Sequence, residues 1–330
     1  MKSKFDGFVI ALFVSIALAY FFPELYIWKG GAVLSWITSI GVSLIFFFYG
    51  LKLSLVQLKT GLRNWKLHLL VQGSTFILFP LLLLPFYPFI NSQLQHDFWL
   101  SFFFLAALPS TVSSSVVMVS IAGGNMPAAI FNASISGLIG VLVTPLWMQS
   151  FLEVGEMAVF GDIYWGLIKE IILPVVAGLL LQPFLGNWIR SYGKQLSLFD
   201  KVIILFIVYG SFAESFVEGI FEHTGKLYLL WTALGSMGLF VAVYGILYFC
   251  TRYLLKFNQE DQITALFCGS KKSLTHGSVF GKFLFAHSAS SGLYFLPLMI
   301  FHTFQILVVT IIAQRYQQKQ SKQVLPQRSE

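Results

Sequence analysis

The chain has 330 residues, of which 57% are hydrophobic and only 11% are charged. This composition excludes a soluble globular domain and indicates an integral membrane protein. The formal net charge is +7, and the bias of basic residues towards one side of the membrane accounts for it, so no nucleic acid partner is expected.

Apolar stretches long enough to cross a bilayer recur along the whole chain. A spanning helix needs about 20 mostly apolar residues, and ten such spans can be placed. They cover residues 7–22, 32–50, 66–86, 98–121, 126–150, 163–184, 200–217, 228–249, 262–286 and 290–313. Continuous apolar runs lack the alternation of a membrane strand, so we expect an all-α polytopic membrane protein. No small-residue cleavage site follows the first span, which we expect to be retained.

The basic residues are spread unevenly over the loops of this ten-span arrangement. Of the 21 Lys and Arg residues, 15 lie on the side that carries both termini, three lie on the other side, and three lie within or beside spans. The positive-inside rule therefore predicts that both termini are cytoplasmic. The short loops favour a bacterial inner membrane, with residues 316–330 as a basic cytoplasmic tail near anionic lipid.

The fourth span contains a polar segment at membrane depth. Residues 98–152 include no Asp, Glu, Lys or Arg, yet residues 109–125 read PSTVSSSVVMVSIAGGN. Lipid cannot satisfy free backbone groups, so such a segment should line protein or a water-filled cavity. Pro109 has no amide hydrogen, and we expect it to break the span and to free backbone groups that, with the nearby hydroxyls, bind an ion or a solute.

A second polar segment occupies the same relative place in the second half of the chain. Residues 268–278 read CGSKKSLTHGS and fall in span nine. The ten spans divide into residues 1–152 and 163–315, joined by a linker at 153–162. Because each half has an odd number of spans, we expect two inverted five-helix repeats, with the breaks at Pro109 and Gly269 crossing at the membrane midplane.

Four segments carry a resemblance to a known family. They are ALPSTVSSSVVMVSIAGGNMPAAIFNASIS (107–136), YGLKLSL (49–55), IKEIILPVVAG (168–178) and ALFCGSKKSL (265–274). The chain resembles the bile acid:sodium symporter family, and within it the member-7-like branch of solute carrier family 10 and its bacterial relatives. The resemblance implies a panel domain of spans one, two, six and seven and a core domain of spans three to five and eight to ten. It also implies that helices four and nine are broken and cross, with solute bound between core and panel and carried by alternating access.

The resemblance further implies ion-binding positions. Sodium-coupled members hold one ion at the break of span four and on span five, which corresponds here to Ser113, Ser114, Ser115 and Asn132. Those members also use a carboxylate on span nine. Here its place falls at Gly269 or Ser270, followed by two lysines.

This departure suggests a hypothesis about the lysines. An ammonium group at that depth repels a sodium ion, so we hypothesise that Lys271 or Lys272 takes the second cation position. Transport would then be sodium-independent or proton-linked, because a desolvated lysine can release its proton. No organic cofactor is expected, and the coupling ion is sodium or a proton.

Other polar residues within the spans are weaker candidates, because hydrogen bonding between helices explains them as well as solute contact does. Gln72 and Thr75 lie on span three, and His302 and Gln305 share a face of span ten. Lys169 and Glu170 are interpreted as interfacial charges. The candidate solute- and ion-binding residues are Gln72, Thr75, Thr111, Ser113, Ser114, Ser115, Asn132, Ser270, Lys271, Lys272, Ser273, His276, His302 and Gln305.

These patterns favour a secondary carrier of a small, organic, anionic solute. Two alternatives remain at this level. One is a membrane regulator of calcium homeostasis that retains the carrier fold. The other is an intramembrane hydrolase with a serine from 113–115 and His276 or His302, although the sequence has neither GxSxG nor HExxH.

Overall fold

The computed structural model describes residues 7–52, 64–152, 161, 165–217, 225–286, 288 and 290–324. Every regular element in these residues is a helix, as the continuous apolar runs predicted. Apart from residue 161, the linker predicted at 153–162 lies outside the described residues, as does the end of the predicted tail after residue 324.

The helices follow one another with short connections. In the first half they are α1 (Gly7–Phe21), α2 (Ala32–Lys52), α3 (Trp65–Phe89), α4 (Gln93–Ala107), α5 (Ser113–Ala122) and α6 (Met126–Gln149). In the second half they are α7 (Leu173–Ser191), α8 (Gly193–Val217), α9 (Lys226–Phe249), α10 (Gln259–Gly269), α11 (Leu274–Leu284) and α12 (Ser291–Val324). One π-helical turn lies within α3 (Ser74–Leu78), one precedes α7 (Ile168–Ile172) and one follows α9 (Cys250–Leu254).

Seven helices in the described part are long and apolar enough to cross a membrane: α2, α3, α6, α7 with its preceding turn, α8, α9 and α12. The three other predicted spans correspond to shorter helices. The first is α1, which has 15 residues. Spans four and nine are each divided into two helices of 10 to 15 residues, and a helix of that length does not cross the hydrocarbon layer alone.

Several helices begin earlier or end later than the apolar pattern predicted. α4 begins at Gln93 rather than 98, α8 begins at Gly193 rather than 200, and α12 continues to Val324 rather than 313. The Ser92 hydroxyl accepts the Gln95 N–H (3.3 Å) and caps α4. Hydropathy marks only the apolar part of a helix, whereas caps and backbone hydrogen bonds set its ends.

The helices pack in two groups. The first group consists of α1, α2, α7 and α8, in which α2 packs along α7 and α1 along α8. Gly50 and Gly178 lie where α2 and α7 meet, and a Cβ at either would overlap a backbone carbonyl of the other helix, that of Val175 or Phe47. Glycine at both positions therefore allows this close approach.

The second group consists of α3 to α6 and α9 to α12. Within it α12 packs against α4, α5 and α9, and α10 packs against α3 and α5. The end of α4 lies at its centre, because residues 103–108 are fully buried. α8 of the first group contacts α11 and α12 of the second.

Candidate functional site

Two interruptions of helical structure lie against each other in the second group. Residues 108–112 between α4 and α5, and residues 270–273 between α10 and α11, form no regular helix. Pro109 lacks an amide hydrogen and cannot continue α4. The Ser273 N–H donates to the Pro109 carbonyl (2.9 Å), and the Ser110 hydroxyl donates to a carbonyl at the end of α10. The two breaks are therefore joined by hydrogen bonds, and α10 ends at Gly269.

The Lys272 side chain binds three backbone carbonyls, two at the end of α4 and one in the π-helical turn of α3. Its Nζ donates to the backbone oxygens of Thr75 (2.6 Å), Ala106 (2.6 Å) and Leu108 (2.7 Å). These three oxygens, here called the carbonyl cage, take the three hydrogens of an ammonium group. The Phe79 ring lies 4.1 Å from Nζ, and Lys272 is 0% exposed. In the described residues no carboxylate lies within ion-pair distance of this ammonium.

Lys271 contacts the hydroxyl groups of the first break. Its Nζ donates to Ser114 Oγ (2.9 Å), the Ser114 hydroxyl donates to Thr111 Oγ1 (3.0 Å), and Thr111 lies 2.7 Å from Ser115 Oγ. Lys271 is buried as well. Ser113 begins α5, but its side chain lies outside the described part of the chain. Lys272 therefore binds three backbone carbonyls, whereas Lys271 binds one serine hydroxyl.

Of the candidates on α3 and α6, Thr75 contributes its backbone carbonyl to the carbonyl cage. Its own hydroxyl donates to Val71 O (2.8 Å). Gln72 Nε2 lies 3.2 Å from both Oδ1 and the carbonyl of Asn132, and Asn132 Nδ2 donates to Ala128 O (3.0 Å). The Asn132 amide thus joins α3 to α6 rather than bonding to the hydroxyls of Ser114 and Ser115.

Gln305 holds the backbone of the second break. Its Oε1 accepts the Lys272 N–H (2.8 Å) and its Nε2 donates to the Lys272 carbonyl (2.7 Å). The same Nε2 lies 3.0 Å from His302 Nδ1. Ser270 is used locally, because its hydroxyl donates to Leu266 O (2.6 Å). Of the predicted pair on span ten, Gln305 therefore bonds to Lys272 directly, and His302 contacts Gln305.

A cavity of about 390 Å³ lies between the two helix groups beside the crossing. The second group contributes polar lining from Thr111, Ser114, Ser273, His276 and His302. The first group contributes Tyr49, Lys52, Asp200 and Lys201. Ser197, Thr275 and apolar side chains complete the wall. The cavity thus joins five of the predicted residues to a charged rim on α2 and α8.

The sequence did not indicate the charged rim. Lys52 follows the predicted span 32–50, and Asp200 and Lys201 lie at the start of the predicted span 200–217. Only the packing of α2 against α8 brings the three residues to one cavity. The local sequence around each residue does not show that the three side chains meet.

Charged residues also join the two helix groups at a second place, away from this cavity. Lys282 Nζ on α11 lies 3.1 Å from Glu170 Oε2 and 2.6 Å from Ser39 Oγ on α2. Lys282 also lines a separate cavity of about 410 Å³. Glu170, interpreted from sequence as an interfacial charge, therefore bonds across the helix groups, whereas Lys169 lies over the Trp165 ring (4.9 Å).

Residues 6–318 match the SBF-like CPA transporter family, which is nearly the whole chain. The chain belongs to this family. The predicted resemblance to bile acid:sodium symporters is confirmed, and the chain is a membrane transporter rather than an enzyme. The hydroxyls of Ser114 and Ser115 bond to Lys271, Thr111 and a backbone carbonyl in the described residues, so they are not paired with a histidine base.

Several relatives match this chain over nearly its full length. An uncharacterized protein of Pseudomonas aeruginosa is 38% identical over 312 residues, which is 94% of this chain and 92% of the relative. The putative symporter YfeH of Escherichia coli is 36% identical over 98% of this chain and 96% of its own. Sodium/bile acid cotransporter 7 of Danio rerio is 30% identical over 93% of this chain and 92% of its own. Neither the calcium regulator nor the hydrolase is supported by these relationships.

Proposed function

We propose that the chain is a secondary active transporter that moves a small organic anion by alternating access and does so without sodium. The Lys272 ammonium in the carbonyl cage carries this proposal. Carbonyl groups freed at a helix break are the ligands with which broken-helix carriers bind a cation. Here a side chain of the protein fills that place.

The carbonyl cage does not suit a sodium ion in addition to Lys272. All three oxygens lie 2.6–2.7 Å from Nζ, and a second cation at that distance would be strongly repelled in a poorly solvated site. The hydroxyl of Ser114 is likewise bonded to an ammonium, that of Lys271. One of the residues that the resemblance assigned to an ion, Ser114, thus contacts the Lys271 ammonium, and the carbonyl cage holds a second built-in cation. A proton remains as the coupling ion, and Lys271, bonded to a cavity-lining serine, is the group that exchanges it.

An anionic solute suits the cavity beside the crossing. Lys52 and Lys201 line it with one carboxylate, Asp200, and Lys271 adds a positive charge behind Ser114. The start of α11 also lines this cavity. The amino end of a helix favours negative charge. The apolar wall fits a solute with an apolar body.

The proposed topology is ten spans in two inverted five-helix repeats, with both termini on the cytoplasmic side of a bacterial inner membrane. The first helix group corresponds to the panel and the second to the core. The matching breaks in the fourth span of each half and the asymmetric distribution of basic residues support this arrangement. Movement of the core against the panel would then expose the cavity to alternate sides.

The experiment that tests the solute class is a thermal-shift screen of the purified protein. Metabolite anions, their neutral analogues and metabolite cations are compared at two pH values, in sodium chloride and in choline chloride. The proposal predicts stabilisation by a subset of organic anions, equal in the two salts. Stabilisation by cations alone, or by anions only when sodium is present, would contradict it.

A further inference from the structure

An apolar groove of about 690 Å³ runs along the outer surface of the first helix group, between α1 and α8. Its wall extends from Gly7 to Phe22 at the end of α1, and from Val202 to Tyr209 on α8. At about 1.5 Å per residue, α1 alone is roughly 22 Å long, compared with about 30 Å for the hydrocarbon layer of a bilayer. The groove is therefore long enough to hold much of an acyl chain.

The two polar side chains that line the groove are satisfied within the protein. The Ser15 hydroxyl donates to Leu205 O (2.9 Å), and the Tyr209 hydroxyl donates to Phe22 O (2.6 Å). The remaining side chains of the lining are apolar. A groove without a free polar group favours a hydrocarbon occupant over a polar ligand.

The exposed fractions of the α1 residues distinguish the floor of the groove from its rim. Ser15 is 7% exposed, whereas Ile10, Val14 and Leu18 are about half exposed. Close packing of another membrane helix requires small residues at the outer surface, and here large side chains stand there. A flexible acyl chain can lie between these side chains, so the shape favours a lipid over a second copy of this chain.

A lysine lies at one end of the groove. Lys201 immediately precedes the α8 wall, and its Nζ lies 5.3 Å from the centroid of the Phe8 ring at the start of α1. Among the residues that the structure describes, Lys201 has no carboxylate within ion-pair distance. The neighbouring Asp200 carboxylate interacts electrostatically with Lys52 instead. A cation at the end of a hydrocarbon groove complements the headgroup of an anionic lipid.

We propose that this groove binds an anionic phospholipid, with one acyl chain between α1 and α8 and the headgroup phosphate at the Lys201 ammonium. Lys201 and Phe8 also line the cavity of about 390 Å³, so the headgroup lies next to the proposed solute site. The inference does not depend on the transported solute or on its coupling ion, because it concerns a lipid bound to the outer surface.

Lipid binding is measured by native mass spectrometry of the delipidated protein, titrated with dioleoylphosphatidylglycerol or dioleoylphosphatidylcholine. We expect the anionic lipid to bind about fivefold more tightly, which is the effect of one lysine near an anionic headgroup. Lys201→Gln should remove this preference and Lys201→Arg should retain it. Lys66→Gln is the matched control, because Lys66 also lies over an aromatic ring at the start of a helix, 5.9 Å from Trp65, and does not line the groove.

A second pair of variants tests the position of the acyl chain. Ala11→Phe fills the groove and should weaken the binding of both lipids, whereas Ala242→Phe, at an exposed position of α9, should not. Equal affinity for the two lipids, or an unchanged preference in Lys201→Gln, would overturn the proposal even if Ala11→Phe does not fold. The spectra also report the number of subunits. A dimer that Ala11→Phe dissociates without a change in lipid binding would assign the groove to a second copy and overturn the lipid site.

Discussion

Gln305 and Lys272 form a two-point contact in which one side-chain amide replaces the helical partners of the N–H and the C=O of one residue. The Lys272 N–H donates to Gln305 Oε1 (2.8 Å), and the Lys272 carbonyl accepts from Gln305 Nε2 (2.7 Å). The chain can therefore leave helical structure between α10 and α11 without orphaned backbone groups. This contact holds the residue whose side chain enters the carbonyl cage.

Replacing Gln305 by Leu should destabilise the protein strongly. The change leaves two buried backbone groups without partners, at a cost of about 1–3 kcal/mol each. We expect a melting temperature several degrees lower in detergent. Gln314→Leu, at an exposed position of the same helix, is the control and should change it little. A Gln305→Leu protein as stable as this control would show that the contact does not support the break.

Replacing Lys272 by Ala should convert the carbonyl cage into a site for a free cation. The three oxygens lose their donors but remain directed at one point, and carbonyl oxygens can replace the hydration shell of a small cation. We expect Lys272→Ala to be less stable and to be stabilised more by sodium or ammonium chloride than by choline chloride. The unsubstituted protein should not distinguish these salts. An equal response of Lys272→Ala to all three would contradict the proposed cage.

The ion pair between Lys282 and Glu170 should restrict separation of the two helix groups. Removing one partner leaves the other charge half-buried and uncompensated. We expect Lys282→Met to increase the labelling rate of a cysteine at Thr38, a buried residue of α2 that lines the cavity of about 410 Å³, by a few fold with a water-soluble maleimide. Both native cysteines are replaced beforehand in all variants. The exchange Lys282→Glu with Glu170→Lys should restore slow labelling. If the exchanged pair labels as fast as Lys282→Met, the ion pair does not restrain this interface.

Glycine at the contact of α2 and α7 should be required for stability. Gly178→Ala places a methyl group against the Phe47 carbonyl, and the backbones must separate to accept it. We expect a marked loss of thermal stability. Gly238→Ala in α9 is the matched control, because a Cβ there meets nothing within 4 Å, and it should be neutral or slightly stabilising. Similar melting temperatures for the two variants would refute the close packing.

Residue type predicted much of the fold and part of the site. Pro109 predicted its own break, since a proline cannot donate to the preceding turn. A charge-free apolar stretch interrupted by hydroxyls predicted that this break lies within a membrane span. These are local properties, so the sequence alone carries them.

Other features depend on packing and could not be predicted. Lys271 and Lys272 are equivalent by composition, and only the path of residues 270–273 directs the second into the carbonyl cage and the first to Ser114. The pairing of Lys282 with Glu170 joins residues 112 apart in sequence.

The most direct test of the account is transport in proteoliposomes with and without a sodium gradient. The anion that gives the largest thermal stabilisation is used, and initial uptake is compared in sodium and choline buffers. The built-in cations of Lys271 and Lys272 predict equal initial rates in the two buffers. Uptake that strictly requires sodium, and that is abolished by Ser114→Ala, would contradict sodium-independent transport.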